Sequence, residues 1–205
     1  MGLASLQGRR AITLAALTLS LPPPSNDLSV AQAVAIIRAQ CDPTFLRAVR
    51  TTGALLYRGE SLGQSAAQLL SPAPDLLDVA TYGSADALRY FETLESALGQ
   101  AVARPSTGHI GVANAEAASQ WGAAASIWPL GKPLHYVWPR DRSEFWPAPS
   151  TATQDGGLAT DIGLEDALRH GREILFCAES GAAYVALDAR LDDEVRRRLD
   201  LSPRR

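Results

Sequence analysis

Two short segments carry side chains of types suited to chemistry. Leu55-Leu56-Tyr57-Arg58-Gly59 sets an arginine at the end of a short buried run, and Gly171-Arg172-Glu173-Ile174-Leu175-Phe176 sets a glutamate at the start of another. An arginine is a permanently charged donor fork that can grip a phosphate through two N–H groups. An ionised carboxylate only accepts hydrogen bonds and stabilises positive charge developing beside it. Taken singly, Arg58 reads as a surface or ion-paired arginine and Glu173 as a strand-end charge. A third segment, Gly59-Glu60-Ser61-Leu62-Gly63, satisfies GxSxG between a strand and a helical pattern, the setting of a nucleophile elbow. A serine hydrolase built on Ser61 needs several strands and an oxyanion loop ahead of the serine, and roughly 30 residues of domain precede it here. His109, His135 and His170 stand in no late Asp…His order that would supply its base.

Taken together, in this order and 115 residues apart, the Arg58 and Glu173 segments resemble the ADP-ribosyltransferases of the toxin-like Arg-Ser-Glu class. In that family an L-Y-R-G-like strand supplies the arginine. A late strand reading x-x-E-(I/V)-L-(L/F) supplies the glutamate and is followed some residues on by an aromatic, here Tyr184. His109-Ile110-Gly111-Val112-Ala113 and the following Asn114-to-Gly122 stretch look like the family's central strand and the short helix behind it. The resemblance covers roughly residues 50–190. It implies an α+β fold of two antiparallel sheets split around an NAD cleft, with flanking helices mostly in the N-terminal half. It also implies an NAD-dependent mono-ADP-ribosyltransferase or NAD glycohydrolase, in which NAD is the substrate and no metal takes part. Glu173 would sit beside the ribose 2′-hydroxyl and stabilise the oxocarbenium-like ribose as nicotinamide leaves. Arg58 would bind the pyrophosphate, and Gly59 would let the ligand approach the backbone. Tyr57 or a tryptophan would stack on nicotinamide, and His109 would hold a ribose hydroxyl.

The chain departs from the family at two places. Gly111-Val112-Ala113 stands where the family has Ser-Thr-Ser, so the expectation is that Ser106 and Thr107, a few residues earlier, replace it. Two residues before Glu173, where the family often has Glu or Gln that helps choose the acceptor, there is Gly171. The acceptor is therefore open, with a protein expected; NAD hydrolysis and a catalytically inactive NAD-binding module of the same fold are the alternatives.

The elements that position these residues follow from periodicity and punctuation. Leu28, Val34 and Ile37 mark one helical face. Asp42-Pro43 caps and starts a second helix carrying Phe45, Leu46 and Val49, ended by Gly53. The segment 54–57 reads as a strand, 61–99 as mostly helical with Ser84 a cap, and 109–113 as a strand before a short helix capped by Asn114. Strands follow at 123–128 and 134–138, a surface loop at 147–160, a helix over 162–170 opened by Asp161, strands at 173–177 and 183–187, and a polar helix near 191–199. Trp128-Pro129, Trp138-Pro139 and Trp146-Pro147 could stack on a flat ligand, but rings at strand ends more simply pack over the core rim.

With 205 residues, 46% hydrophobic and 20% charged, the chain is long enough for a core without metal or disulfide. The formal net charge of −3 gives no footprint for nucleic acid, and no apolar run is long enough to span a membrane. Neither GxxxxGK[ST] nor GxGxxG occurs, which removes P-loop and Rossmann readings. Three histidines without a Cys partner argue against structural zinc, and Cys41 and Cys177 read as buried free thiols, a single disulfide being the alternative for an exported chain. Residues 1–26, with Arg9-Arg10, the apolar run Ala11 to Leu21 and Pro22-Pro23-Pro24, read as an export or organelle-targeting segment, the alternatives being an amphipathic first helix and a cytoplasmic protein. One ADP-ribosyltransferase-like domain is expected over 27–205.

Overall fold

The computed structural model describes residues 26–145, 157–179, 181 and 183–201; the segment 1–26 expected to serve targeting, apart from Asn26, and Trp146-Pro147 lie outside them. Local chemistry sets the early helices. Strand β1 (Asp27–Leu28) leads into α1 (Val30–Gln40), whose cap residue Ser29 and third-position Gln32 bond reciprocally. In α2 (Pro43–Thr52) the Asp42 carboxylate accepts the Thr44 N–H, proline takes the first position, and Gly53 closes the helix at φ 70°. Strands β2 (Leu56–Gly59) and β3 (Ala67–Leu70) follow, then α3 (Asp75–Tyr82) and α4 (Ala85–Leu98). The remaining chain gives β4 (His109–Val112), α5 (Ala115–Ala118) with a 3₁₀ turn over Ser119–Trp121, β5 (Ala124–Pro129), β6 (Leu134–Pro139), β7 (Leu158–Thr160), α6 (Leu164–Arg169), β8 (Glu173–Ala178), β9 (Tyr184–Asp188) and α7 (Asp192–Arg198).

The strands form one nine-stranded, wholly antiparallel sheet in the order β1-β3-β9-β5-β2-β4-β8-β6-β7. The fold is thus mixed α and β as expected, but the expected pair of sheets is a single sheet. Its two halves are joined at β2 and β4, which share one residue pair, Tyr57↔Val112. The flanking pairings run to four residues or more, β2 with β5 and β4 with β8.

Alternation along the strands distributes side chains to two clusters. Gly111, Ile174 and Phe176 turn toward the larger core, which gathers Ile37, Phe45, Leu56, Ile127, Trp128 and Tyr184 with α1, α2, α6 and α7. Ile110, Leu175, Cys177 and Val137 face a smaller cluster around Leu94 of α4 and Phe145. Trp128 is fully buried and Trp138 nearly so, with its indole N–H donated to the Ile162 carbonyl, so both tryptophans serve packing. Both cysteines are buried free thiols. No helix among the described residues is long and apolar enough to cross a membrane.

The expected helical stretch 61–99 contains β3, a four-residue strand too short for its periodicity to register beside long helical runs. The strand expected at 54–57 lies two residues later, which moves Arg58 and Gly59 inside it. Asp161 does not cap α6: its φ is 54°, and Gly163 stands at the cap. Its carboxylate instead accepts the Tyr136 N–H and meets His135 Nδ1.

Candidate functional site

The fork between β2 and β4 determines the site. On the β2 side of Ile110 there is no strand to pair with, and two side chains take its place. The Ile110 N–H donates to Asp75 Oδ2 at 2.7 Å, and the Ile110 carbonyl accepts from Arg58 Nη1 at 2.6 Å. A buried backbone pair left unmet would cost several kcal/mol in all, roughly 1–3 per group. Arg58 and Asp75 complete the plug with each other, Nη1 lying 3.2 Å from Oδ1, and Arg58 Nε donates to Glu60 at 3.2 Å. Behind them His109 is fully buried, with Nδ1 2.9 Å from Asp75 Oδ1.

Electrostatics follow from this arrangement. Burial works against the Arg58 charge, but Asp75 and Glu60 outweigh it and raise its pKa. Burial likewise works against ionised Asp75, and the His109 hydrogen bond, the Arg58 charge and the Ile110 N–H overcome it, so the carboxyl sits below its ordinary value.

Beside the fork lies a cleft of about 350 Å³, at the lower end of the range for small-molecule pockets. Both Arg58 and Glu173 line it. Tyr57, Val112 and Glu173 stand in one cross-strand row, which carries the Glu173 side chain to the same face as Tyr57. A segment of the loop after β6 runs alongside: Glu173 N–H donates to the Ser143 carbonyl, and Phe145 N–H donates to Glu173 Oε2, each at 2.7 Å. Burial raises the Glu173 pKa, the Phe145 N–H pulls it down, and the Glu144 charge pushes it up again; the net direction is upward. The walls are aromatic: Tyr90 and Phe91 from α4 meet edge to face at 5.1 Å, and Trp121, 65% exposed, stands at the rim.

The structure brings together only some of the expected site residues. Arg58, Glu173, Tyr57 and Gly59 line the cleft. Ser106, Thr107 and His109 do not. Ser106 gives both its N–H and its hydroxyl to Glu95, and Thr107 closes its own turn by donating to the Val102 carbonyl and accepting the Arg104 N–H. His109 faces the larger core, where its ring lies 5.5 Å from that of Tyr184, and reaches no ligand space. Tyr57 has its hydroxyl committed to Asp192 Oδ2 at 2.9 Å. Gly59 also has a packing reason to be glycine: a Cβ there would stand 2.5 Å from the Trp121 carbonyl carbon. The expected two-handed Arg58 grip is also reduced. Nε and Nη1 are spent on Glu60, Asp75 and Ile110, leaving Nη2 as the nitrogen without a partner among the described residues.

Asp75, Asp78, Tyr90 and Phe91 line the cleft from helices, and Trp121 from the turn after α5. The sequence marks none of the first four as functional, and Trp121 only as one of the tryptophans that would stack on nicotinamide. The one available signal was Asp75 after Pro74, an acidic residue in a helix's first turn, which is too common to single out.

Ser61 lies in a separate, wider depression of about 1070 Å³ that shares Gly59 and Trp121 with the cleft, and no histidine is among the described residues lining it. No group of three metal-binding side chains occurs among the described residues. No protein-family model matches the chain, and comparison with curated proteins and with solved structures returns no match.

Proposed function

We propose that the protein cleaves the nicotinamide–ribose bond of NAD, as a mono-ADP-ribosyltransferase or an NAD glycohydrolase. One observation carries the reading: Arg58 and Glu173, distant in sequence, line the same aromatic-walled cleft. In this reading the nicotinamide–ribose half of NAD enters between Tyr90, Phe91 and Trp121, whose faces suit a planar cationic ring. Arg58 Nη2 contacts a phosphate oxygen, and Glu173 accepts the ribose 2′-hydroxyl. As the C1′–N bond breaks, its electron pair stays on the nicotinamide nitrogen and quenches the pyridinium charge. Positive charge passes to the ribose, where the Glu173 carboxylate opposes it. Water or an acceptor nucleophile then adds at C1′ and gives up its proton to solvent. The Phe145 N–H fixes the carboxylate before reaction, so little reorganisation remains.

A second reading, binding of NAD without turnover, has its own support. The β4 residues at the cleft are Ile110, Gly111 and Val112, so that strand brings no side-chain hydroxyl to the site. The two readings part on nicotinamide release from NAD by the full chain, with Glu173→Gln in parallel. Catalysis predicts release that falls about 10²–10³-fold in the variant. Binding without turnover predicts no release and equal NAD affinity in both proteins. No release and no binding would end the NAD reading.

A further inference from the structure

We propose that Asp75 and His109 are positioning residues that hold the Arg58 guanidinium in the fork so that Nη2 alone is presented to the cleft. The inference rests on the NAD reading only for what the ligand is; the geometry stands apart from it. Asp75 is almost fully buried, and both its oxygens are occupied. Oδ1 takes His109 Nδ1 at 2.9 Å and Arg58 Nη1 at 3.2 Å, while Oδ2 takes the Ile110 N–H at 2.7 Å. With Nδ1 as the donor, His109 shares Oδ1 with Arg58 and, together with the Ile110 N–H on Oδ2, fixes the carboxylate. Its other nitrogen, Nε2, is buried without a partner. Since Nε2 gains nothing where it stands, the ring owes its polar anchorage to Asp75.

Arginine side chains ordinarily lose a great deal of rotamer freedom on ordering. Here that loss is met within the protein before any ligand arrives, because Nε, Nη1 and the backbone of Ile110 already fix the plane. Preorganisation of this kind strengthens binding without changing the chemistry at Glu173. Loosening Asp75 or His109 should therefore raise KM for NAD and leave kcat nearly constant, which general loss of structure would not do.

The test uses the full chain and three variants: Asp75→Asn, His109→Asn, whose amide nitrogen reproduces the Nδ1 donor, and His109→Leu, which removes it. Nitrogen-detected NMR of the guanidinium is the first readout, since a held group shows separate Nη1 and Nη2 signals and a rotating one averages them. NAD titration and steady-state nicotinamide release are the second. The expected result is resolved signals in the wild type and His109→Asn. Averaged signals are expected in Asp75→Asn and His109→Leu, with KM raised about tenfold and kcat within about twofold. Averaged signals in the wild type, or resolved signals with unchanged KM in both loosened variants, would overturn the proposal. Should Asp75→Asn not fold, the two His109 variants decide between the same outcomes. Resolved signals in a wild type that binds no NAD would uphold the positioning and refute the NAD reading instead.

Discussion

Replacing Gly111 by alanine tests the register on which the site depends. An added Cβ would stand 2.8 Å from Leu56 Cγ, 2.9 Å from Ile127 Cδ1 and 3.1 Å from Leu56 Cδ1. The Ile127 methyl is the far end of a flexible chain and can yield, but Leu56 Cγ is close to the backbone and cannot swing away. Both neighbours are within 1% of full burial, so displacing them pushes on the rest of the core. Overpacking of this kind costs about 1–3 kcal/mol. For a chain of this size each kcal/mol lowers Tm by about 2–4 °C, so a cost near 2 kcal/mol gives a drop of about 4–8 °C. Calorimetry or urea unfolding would measure it. A Tm within about 1 °C of the wild type would refute the reasoning. Gly111 would then face open space, the strand would be displaced by one residue, and Val112 rather than Gly111 would point into the core.

Val112→Thr is the complementary change: it adds a hydroxyl to the Tyr57–Glu173 row, within reach of the carboxylate. It should cost less than about 1 kcal/mol because the hydroxyl finds an acceptor, and the unfolding free energy checks it. Asp42→Ala removes a cap that accepts the Thr44 N–H at 2.6 Å and also the Leu134 N–H at 3.1 Å. A loss of about 2 kcal/mol is expected in urea unfolding, above that of a simple cap. The Asp75 pKa is lowered on folding, so its contribution is complete above the unfolded-state value and drains away as pH falls through the folded one. Asp75→Asn should therefore flatten the acid limb of the stability–pH curve below about pH 4. Glu173 has the opposite sign: its pKa is raised, so its ionisation opposes folding above the folded value and has no effect below the unfolded one. Glu173→Gln, which keeps an acceptor for the Phe145 N–H, should be more stable than the wild type at pH 7 and equal to it near pH 3.

Where the sequence spoke through neighbours along the chain, it was legible. Asp42-Pro43 with Gly53, Ser84, and Asn114 all act as the caps their types announce, because a cap is satisfied within three residues. Ser106 and Thr107 show the same rule turned round: short hydroxyl side chains find local backbone and helix partners first, and these two lie outside the cleft, bonded within their own turn and to Glu95, which their types alone do not reveal. Which face of a strand a residue occupies is not local. His109 and Ile110 are adjacent, yet one is sealed in the core and the other borders the cleft, and the pairing with β8 that decides this lies more than 60 residues away. Two sheets became one because a single pair, Tyr57↔Val112, bridges the halves, and one pair leaves no trace in periodicity.

That single pair also explains why an arginine is required at position 58. A strand that diverges after one contact exposes a backbone N–H and a carbonyl on its neighbour, here both belonging to Ile110. A carboxylate can serve the N–H and a cation the carbonyl, and each then neutralises the other in a site where neither charge could be buried alone. Lysine would reach the carbonyl but could not also bond Glu60 and Asp75 in one plane and still offer a free N–H pair to the cleft. Arg58→Lys should therefore lose more than the ligand contact. Its Tm should fall, and NAD affinity should fall with it. A lysine variant that kept wild-type stability while losing only affinity would mean that the fork closes without the guanidinium, and that position 58 answers to the ligand alone.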